Sequence, residues 1–222
     1  TITSCLVANN CWRPKSREVY AKLQQEIKKY YPGAQSVTDG KVIEISYLGQ
    51  EYKFNMETEI DTCSTYITGH KISDTENTAV VKEVMQQGTA MPVAILRDNG
   101  SGNNSEEIEK YLQDNKIIGI NIYPSHPQTD GTVEGLFSKY EKLVGKIKVA
   151  GETAREIAKS IAEAVTKVFV SSHNYTPKKS LKGLTPYDVY KNYSATEKEQ
   201  EIAREGLTKQ AQRSKELREK KS

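Results

Sequence analysis

The residues with the strongest claim to chemistry are acids placed where a buried element opens into a loop. Asp98 follows the compact apolar run Pro92–Leu96 and begins the turn Asp98-Asn99-Gly100-Ser101. Glu134 falls in the first turn of a helix-period segment, behind the loop Tyr123-Pro124-Ser125-His126-Pro127-Gln128-Thr129-Asp130-Gly131-Thr132-Val133. Open α/β sheets place reacting groups at the carboxyl ends of their strands, where Asp98 would stand. Each acid alone also has a plain structural explanation. Asp-Asn-Gly marks ordinary turns, and an acid in a first helical turn complements the helix dipole. Brought together, they are hard oxygen ligands for a divalent cation, and so a means to phosphoryl transfer.

The elements that must position them can be read from periodicity. Ser16 caps an expected helix over 17–30, with Val19, Leu23 and Ile27 on one face, ended by Pro32-Gly33. Lys41–Leu48, Tyr52–Ile60 and Tyr66–Ser73 read as three strands joined by tight turns, an antiparallel meander. Glu57 and Glu59 share a parity on the second of these and are expected to face outward. A helix over Thr75–Gln87, a strand over Pro92–Leu96, a helix over Ser105–Asn115 and a strand over Ile117–Tyr123 then imply parallel additions to the meander.

From Gly131 the chain turns helical, with Val133, Leu136, Phe137, Tyr140, Leu143, Val144 and Ile147 in helix period. A second long helix follows Gly151. Ser172–Leu184 reads as a loop, and Thr185-Pro186 opens a short helix through Tyr190. Residues 194–222 are highly charged and read as an exposed helix or a tail.

Composition narrows the class without naming it. No run of 18 apolar residues is present, so no spanning helix is expected, and with no basic-then-apolar opening stretch no secretory leader is expected either. It starts at Thr1 rather than Met and is expected to be a trimmed chain or a processed fragment. Cys5, Cys11 and Cys63 are too few and too scattered for a disulfide framework, so an intracellular setting is expected, the cytoplasm of a prokaryote or the nucleus of a host cell. With His70, His126 and His173 they form no zinc-finger spacing. The net charge of +3 is only mildly basic. Lysines nevertheless crowd two stretches, at Lys139, Lys142, Lys146 and Lys148 and again at Lys178, Lys179 and Lys182.

Asp98 and Glu134 are separated by 35 residues. That gap, the Asp-Asn-Gly-Ser turn and the Pro-Gln-Thr-Asp-Gly-Thr-Val-Glu segment resemble the second and third acids of retroviral integrases and related DDE transposases. The similarity runs from about Lys41 to Tyr193. It takes in Asn174, Pro177 and Gly183-Leu184-Thr185-Pro186-Tyr187, which is similar to the family's tail motif.

The resemblance implies a ribonuclease-H-like α/β fold, with a mixed five-stranded sheet flanked by helices. It implies an enzyme that cuts and joins DNA by in-line phosphoryl transfer, with Mg²⁺ or Mn²⁺ as cofactor and two ions expected. It also implies a homo-oligomer partnered with element ends and target DNA and not with a membrane. In the family the first acid is an aspartate on the first strand, and counting back puts that place on Glu44, with Asp61 as the alternative. The expected metal ligands and catalytic residues are thus Glu44, Asp98 and Glu134. Gln128, Thr129, Lys139 and Lys142 are the expected DNA contacts, to phosphate rather than to bases. The expected division is an arm and short helix over 1–38, the catalytic core over 39–193 and a charged tail over 194–222. Glutamate in an aspartate's place keeps a second reading open, a catalytically impaired DNA-binding or assembly module of the same fold.

Overall fold

A computed structural model describes residues 29–97, 103, 105–121 and 153–219. Residues 17–28 of the expected first helix and the helix expected from Gly131 lie outside that set. β1 (Gln35–Tyr47), β2 (Gln50–Asp61) and β3 (Ile67–Ser73) form the antiparallel meander. Leu48 and Gly49 make its first turn with φ of 51° and 77°. Two consecutive left-handed residues give the two-residue loop whose twist suits a hairpin. β4 (Ala94–Arg97) joins β1 in parallel, β5 (Ile118–Asn121) joins β4 in parallel, and the order is β3-β2-β1-β4-β5.

The helices are α1 (Thr78–Gln86), α2 (Glu106–Asp114), α3 (Ala154–Tyr175), α4 (Pro186–Lys191) and α5 (Glu197–Glu219). Four of the five starts have a local side-chain cause. Asn77 and Ser105 accept from the third backbone N–H beyond them, capping α1 and α2. Thr185 and Asp188 form a capping box on α4 with Pro186 in its first turn, and Thr196 and Glu199 do the same for α5.

Both faces of the sheet are covered. Val37, Ile43, Ile45, Phe54, Ile60, Ala94 and Leu96 pack with Ala158, Ala162, Val165 and Phe169 of α3 and with Ala203 and Leu207 of α5. On the other face Ile95 packs with Val81 and Met85 of α1 and with Ile108, Tyr111 and Leu112 of α2. α1 lies so close on β3 that a Cβ on Gly69 would collide with the carbonyl of Val84.

This two-sided burial explains where the sequence reading went astray. β1 begins at Gln35, inside the expected arm and six residues before Lys41, because Ser36 and Thr38 are buried polar residues rather than a loop. Glu57 and Glu59 are 1% and 2% exposed, not outward-facing, since the alternate face of β2 meets α1 and α2 instead of water. α3 continues to Tyr175, taking the first residues of the expected loop. The charged tail is a 23-residue helix whose Ala203 and Leu207 are wholly buried.

Candidate active site

β4 and β5 finish at one level, beside Thr38 in the first part of β1. Thr38 of β1 is the Cα partner of Arg97 of β4, and Arg97 is the partner of Asn121 of β5. Paired residues share a face, so Val37 and Leu96 both point to the side covered by α3 and α5. Asp39 has the parity of Val37 and stands on that side, half-buried, with Oδ1 accepting from the N–H of Gly40 at 3.0 Å. Asp98 follows Arg97 directly in the chain.

Arg97 has the opposite parity and is 2% exposed, on the α1 and α2 side. Its Nη1 donates to the carbonyl of Asn103 at 2.5 Å and its Nη2 pairs with Glu109 of α2. Asn103 is itself buried, and its side-chain oxygen accepts from Thr38 Oγ1 at 3.4 Å. Arg97 and Asn103, which precede and follow Asp98 in the chain, are therefore fastened to one another and to Thr38.

Glu44 is not brought to this level. It is the Cα partner of Lys53, with which it makes an exposed ion pair of 2.7 Å. It lies five residues beyond Asp39, roughly 17 Å along an extended strand, and with the opposite parity. An exposed pair of this kind adds little stability, so Glu44 reads as a surface residue of the hairpin.

Asp61 is 1% exposed and accepts from Gly33 N at 2.8 Å and from Ser64 N and Oγ at 2.6 Å each. Burial still raises its pKa, outweighing those hydrogen bonds. Its side chain closes the β2–β3 turn on the face away from Asp39. Asp98, Glu134, Gln128, Thr129, Lys139 and Lys142 lie outside the described residues.

Two further features lie elsewhere on the meander. Glu59 accepts from Ser36 Oγ at 2.5 Å, and burial lifts its pKa to about 7. The tail motif builds the opposite end of the meander. There Tyr66 stacks on Tyr190 at 4.7 Å, and Lys178 Nζ donates to Thr65 Oγ1 at 2.9 Å.

Among the described residues no group of three or more His, Cys, Asp or Glu could hold a metal ion. Asp39 supplies one carboxylate, the donor type that Mg²⁺ and Mn²⁺ prefer. Sequence reasoning missed Asp39 because Thr38-Asp39-Gly40 has the composition of a turn. The signal that could have found it is the β-branched pair Val37 and Thr38 just ahead, which starts a strand in register with the apolar run before Asp98.

Comparison with known proteins agrees with this architecture. No family model matches the chain. A segment of 99 residues, 44% of the chain, is 31% identical to the Pro-Pol polyprotein of feline foamy virus and spans 8% of that protein's length. The integrase catalytic core domain of HTLV-2, solved with magnesium in a dimeric form, superposes with a TM-score of 0.54 at 16% identity, over 73% of this chain and 99% of that one. The catalytic core domain of BIV integrase gives 0.51 at 18% identity, over 71% and 93%. A chain of the simian T-cell lymphotropic virus intasome, in complex with PP2A regulatory subunit B56 gamma, gives 0.53 at 15% identity, over 77% and 58%. The chain has the fold of retroviral integrase catalytic cores, a ribonuclease-H-like mixed sheet flanked by helices.

Proposed function

We propose that the chain is the catalytic domain of a DDE-type transposase or integrase, cleaving DNA strands and transferring them by in-line phosphoryl transfer. Asp39, Asp98 and Glu134 are its metal-holding carboxylates, with Asp39 rather than Glu44 in the first place. The observation that supports this reading is the parallel register of Thr38 with Arg97, the residues that immediately precede Asp39 and Asp98 in the chain. Neighbouring strands run about 4.8 Å apart, and a carboxylate pair at that spacing suits a shared divalent cation.

When bound, Mg²⁺ or Mn²⁺, two ions in this reading, would polarise the scissile phosphate and ease deprotonation of the attacking water or 3′-hydroxyl. Asp39 would act as a ligand whose strand is fixed on both edges, by β2 and β4. Arg97 would fix the start of the segment that carries Asp98 through its bonds to Asn103 and Glu109. Gln128, Thr129, Lys139 and Lys142 would hold DNA phosphates, and a homo-oligomer would hold two DNA ends together. The second reading, an impaired binding module, loses its main support once an aspartate takes the first place.

The test is nicking and joining of a branched, labelled DNA in Mg²⁺ and in Mn²⁺ by the chain and by its Asp39→Asn and Glu44→Gln variants. Metal-dependent activity that disappears in Asp39→Asn and survives in Glu44→Gln is the expected result. Activity that survives in Asp39→Asn would remove Asp39 from the site, and loss in Glu44→Gln would restore Glu44.

A further inference from the structure

α5 runs the length of the sheet beside β5, and its charge changes sign on the way. Its first half lies near the start of β1. Gly206 is so close to Tyr30 that a Cβ there would collide with the Tyr30 hydroxyl, and Tyr193, just ahead of α5, stacks on Tyr31 at 6.1 Å. Its second half reaches the other end of the parallel strands, where Ser214 Oγ donates to the carbonyl of Asn121 at 2.6 Å. Asn121 is the last residue of β5 and shares the rung of Arg97 and Thr38.

Residues 197–207 hold four acids and two bases, whereas residues 208–219 hold four bases and two acids. The basic half is thus the half at the level of Asp39. α5 also packs on the face of the sheet toward which Asp39 points.

The flanks of Ser214 are Arg213 and Lys215, both exposed and in no ion pair among the described residues. Lys209, a turn earlier, is held by Glu205 at 2.5 Å. Cations near a helix C-terminus can simply complement the dipole, but that effect fades within the last turn, and Arg213 lies outside it. Ala203 and Leu207 anchor the first half of the helix in the core, and Ser214 ties the second half to β5 between Arg213 and Lys215.

We propose that the C-terminal half of α5 is a DNA-backbone clamp, in which Arg213 and Lys215 hold duplex phosphates flanking the bond cut at the Asp39 level. This rests on the proposed polynucleotidyl-transferase reading. β1 and β5 are two strand spacings apart, about 10 Å. With one charge every ~1.7 Å of duplex axis, phosphates pass α5 well within a helical turn of the bond being cut.

The experiment is fluorescence anisotropy of the whole chain with a labelled random-sequence duplex, titrated with salt, alongside the cleavage assay. Neutralising both residues as Arg213→Gln with Lys215→Gln should weaken duplex binding and flatten the salt dependence, reducing the log–log slope by about 2. Glu197→Gln with Glu201→Gln, at the far end of the helix, should not weaken binding. Thermal melting of each variant checks that the fold survives, and Arg213→Lys should restore the slope. An unchanged affinity and slope in the double Gln variant would overturn the clamp, whatever the cleavage assay reads. An α5-dependent slope in a chain that never cuts DNA would uphold the clamp and sink the catalytic reading. A chain that binds no duplex at all would overturn both.

Discussion

The side-chain amide of Asn174 serves Ile67 as a substitute strand, accepting from its N–H at 2.9 Å and donating to its carbonyl at 3.1 Å. Gln87 does the same for His70 farther along, at 3.0 and 3.1 Å. β3 is the outer strand of the sheet, and outer strands expose backbone groups that invite pairing with another chain. Two amides from α3 and from the end of α1 occupy these positions.

Replacing Asn174, which is 4% exposed, by Ala leaves two backbone groups of Ile67 without partners. The expected loss is about 1–3 kcal/mol of stability in urea unfolding, together with concentration-dependent self-association by sedimentation. Gln87→Ala, at an exposed position where water can substitute, should cost much less. Equal losses from the two substitutions would mean that burial is not what gives the Asn174 bonds their value.

Glu59 makes stability depend on pH. Its folded pKa is about 7, raised by burial above the ordinary carboxylate value near 4.5. The folded state therefore holds a proton that the unfolded chain gives up first. The stability is fully present below pH about 4.5 and is lost as pH rises to about 7, by an amount on the order of 3 kcal/mol. Asp61 shifts in the same direction, so the diagnostic quantity is the difference between the chain and Glu59→Gln. That neutral isostere should flatten the decline and be the more stable protein at pH 8. A variant that keeps the full decline would assign it to other groups.

Lengthening the Asp39 side chain by one methylene, as Asp39→Glu, moves its carboxylate by about an ångström and should lower DNA-cleavage turnover roughly 100-fold. Glu44→Asp should leave turnover unchanged. The two substitutions are mirror images chemically, so an equal effect from both would argue against any positional role for either.

Leu207 is fully buried between α5 and the sheet. Leu207→Ala should cost about 2–5 kcal/mol and speed proteolysis within residues 197–219 under native conditions. A loss below 1 kcal/mol, with unchanged proteolysis, would show that α5 is a loosely attached appendage.

How much of this was written in the sequence depends on what each residue's neighbours turned out to be. The meander, the Asn77 and Ser105 helix starts and the Thr185-Pro186 start follow from local patterns, and they stand within a few residues of where periodicity put them. Capping and turn chemistry is local, so it survives folding. The start of β1, the burial of Glu57 and Glu59 and the docking of α5 depend on which elements cover which face. No window of a few residues contains that information. The same gap hid Asp39: the residues beside it spell a turn, and only the pairing of Thr38 with Arg97 makes it the end of a parallel rung. The pairing of Asp98 with Glu134 rests on the spacing and the resemblance alone, since both lie outside the described residues.

The unequal lengths of β1 and β4 have a mechanical consequence. Among the described residues β4 accompanies β1 from Gln35 to Thr38, whereas β1 continues to Tyr47 and returns along β2 from Gln50. Asp39 stands just past the last described β4 rung, on the strand that runs out into the narrow ribbon. A body pressing on the ribbon tip at Leu48 would twist β1 along its length toward Asp39. Such leverage makes the hairpin a handle by which anything seated on it could tune the carboxylate without touching it.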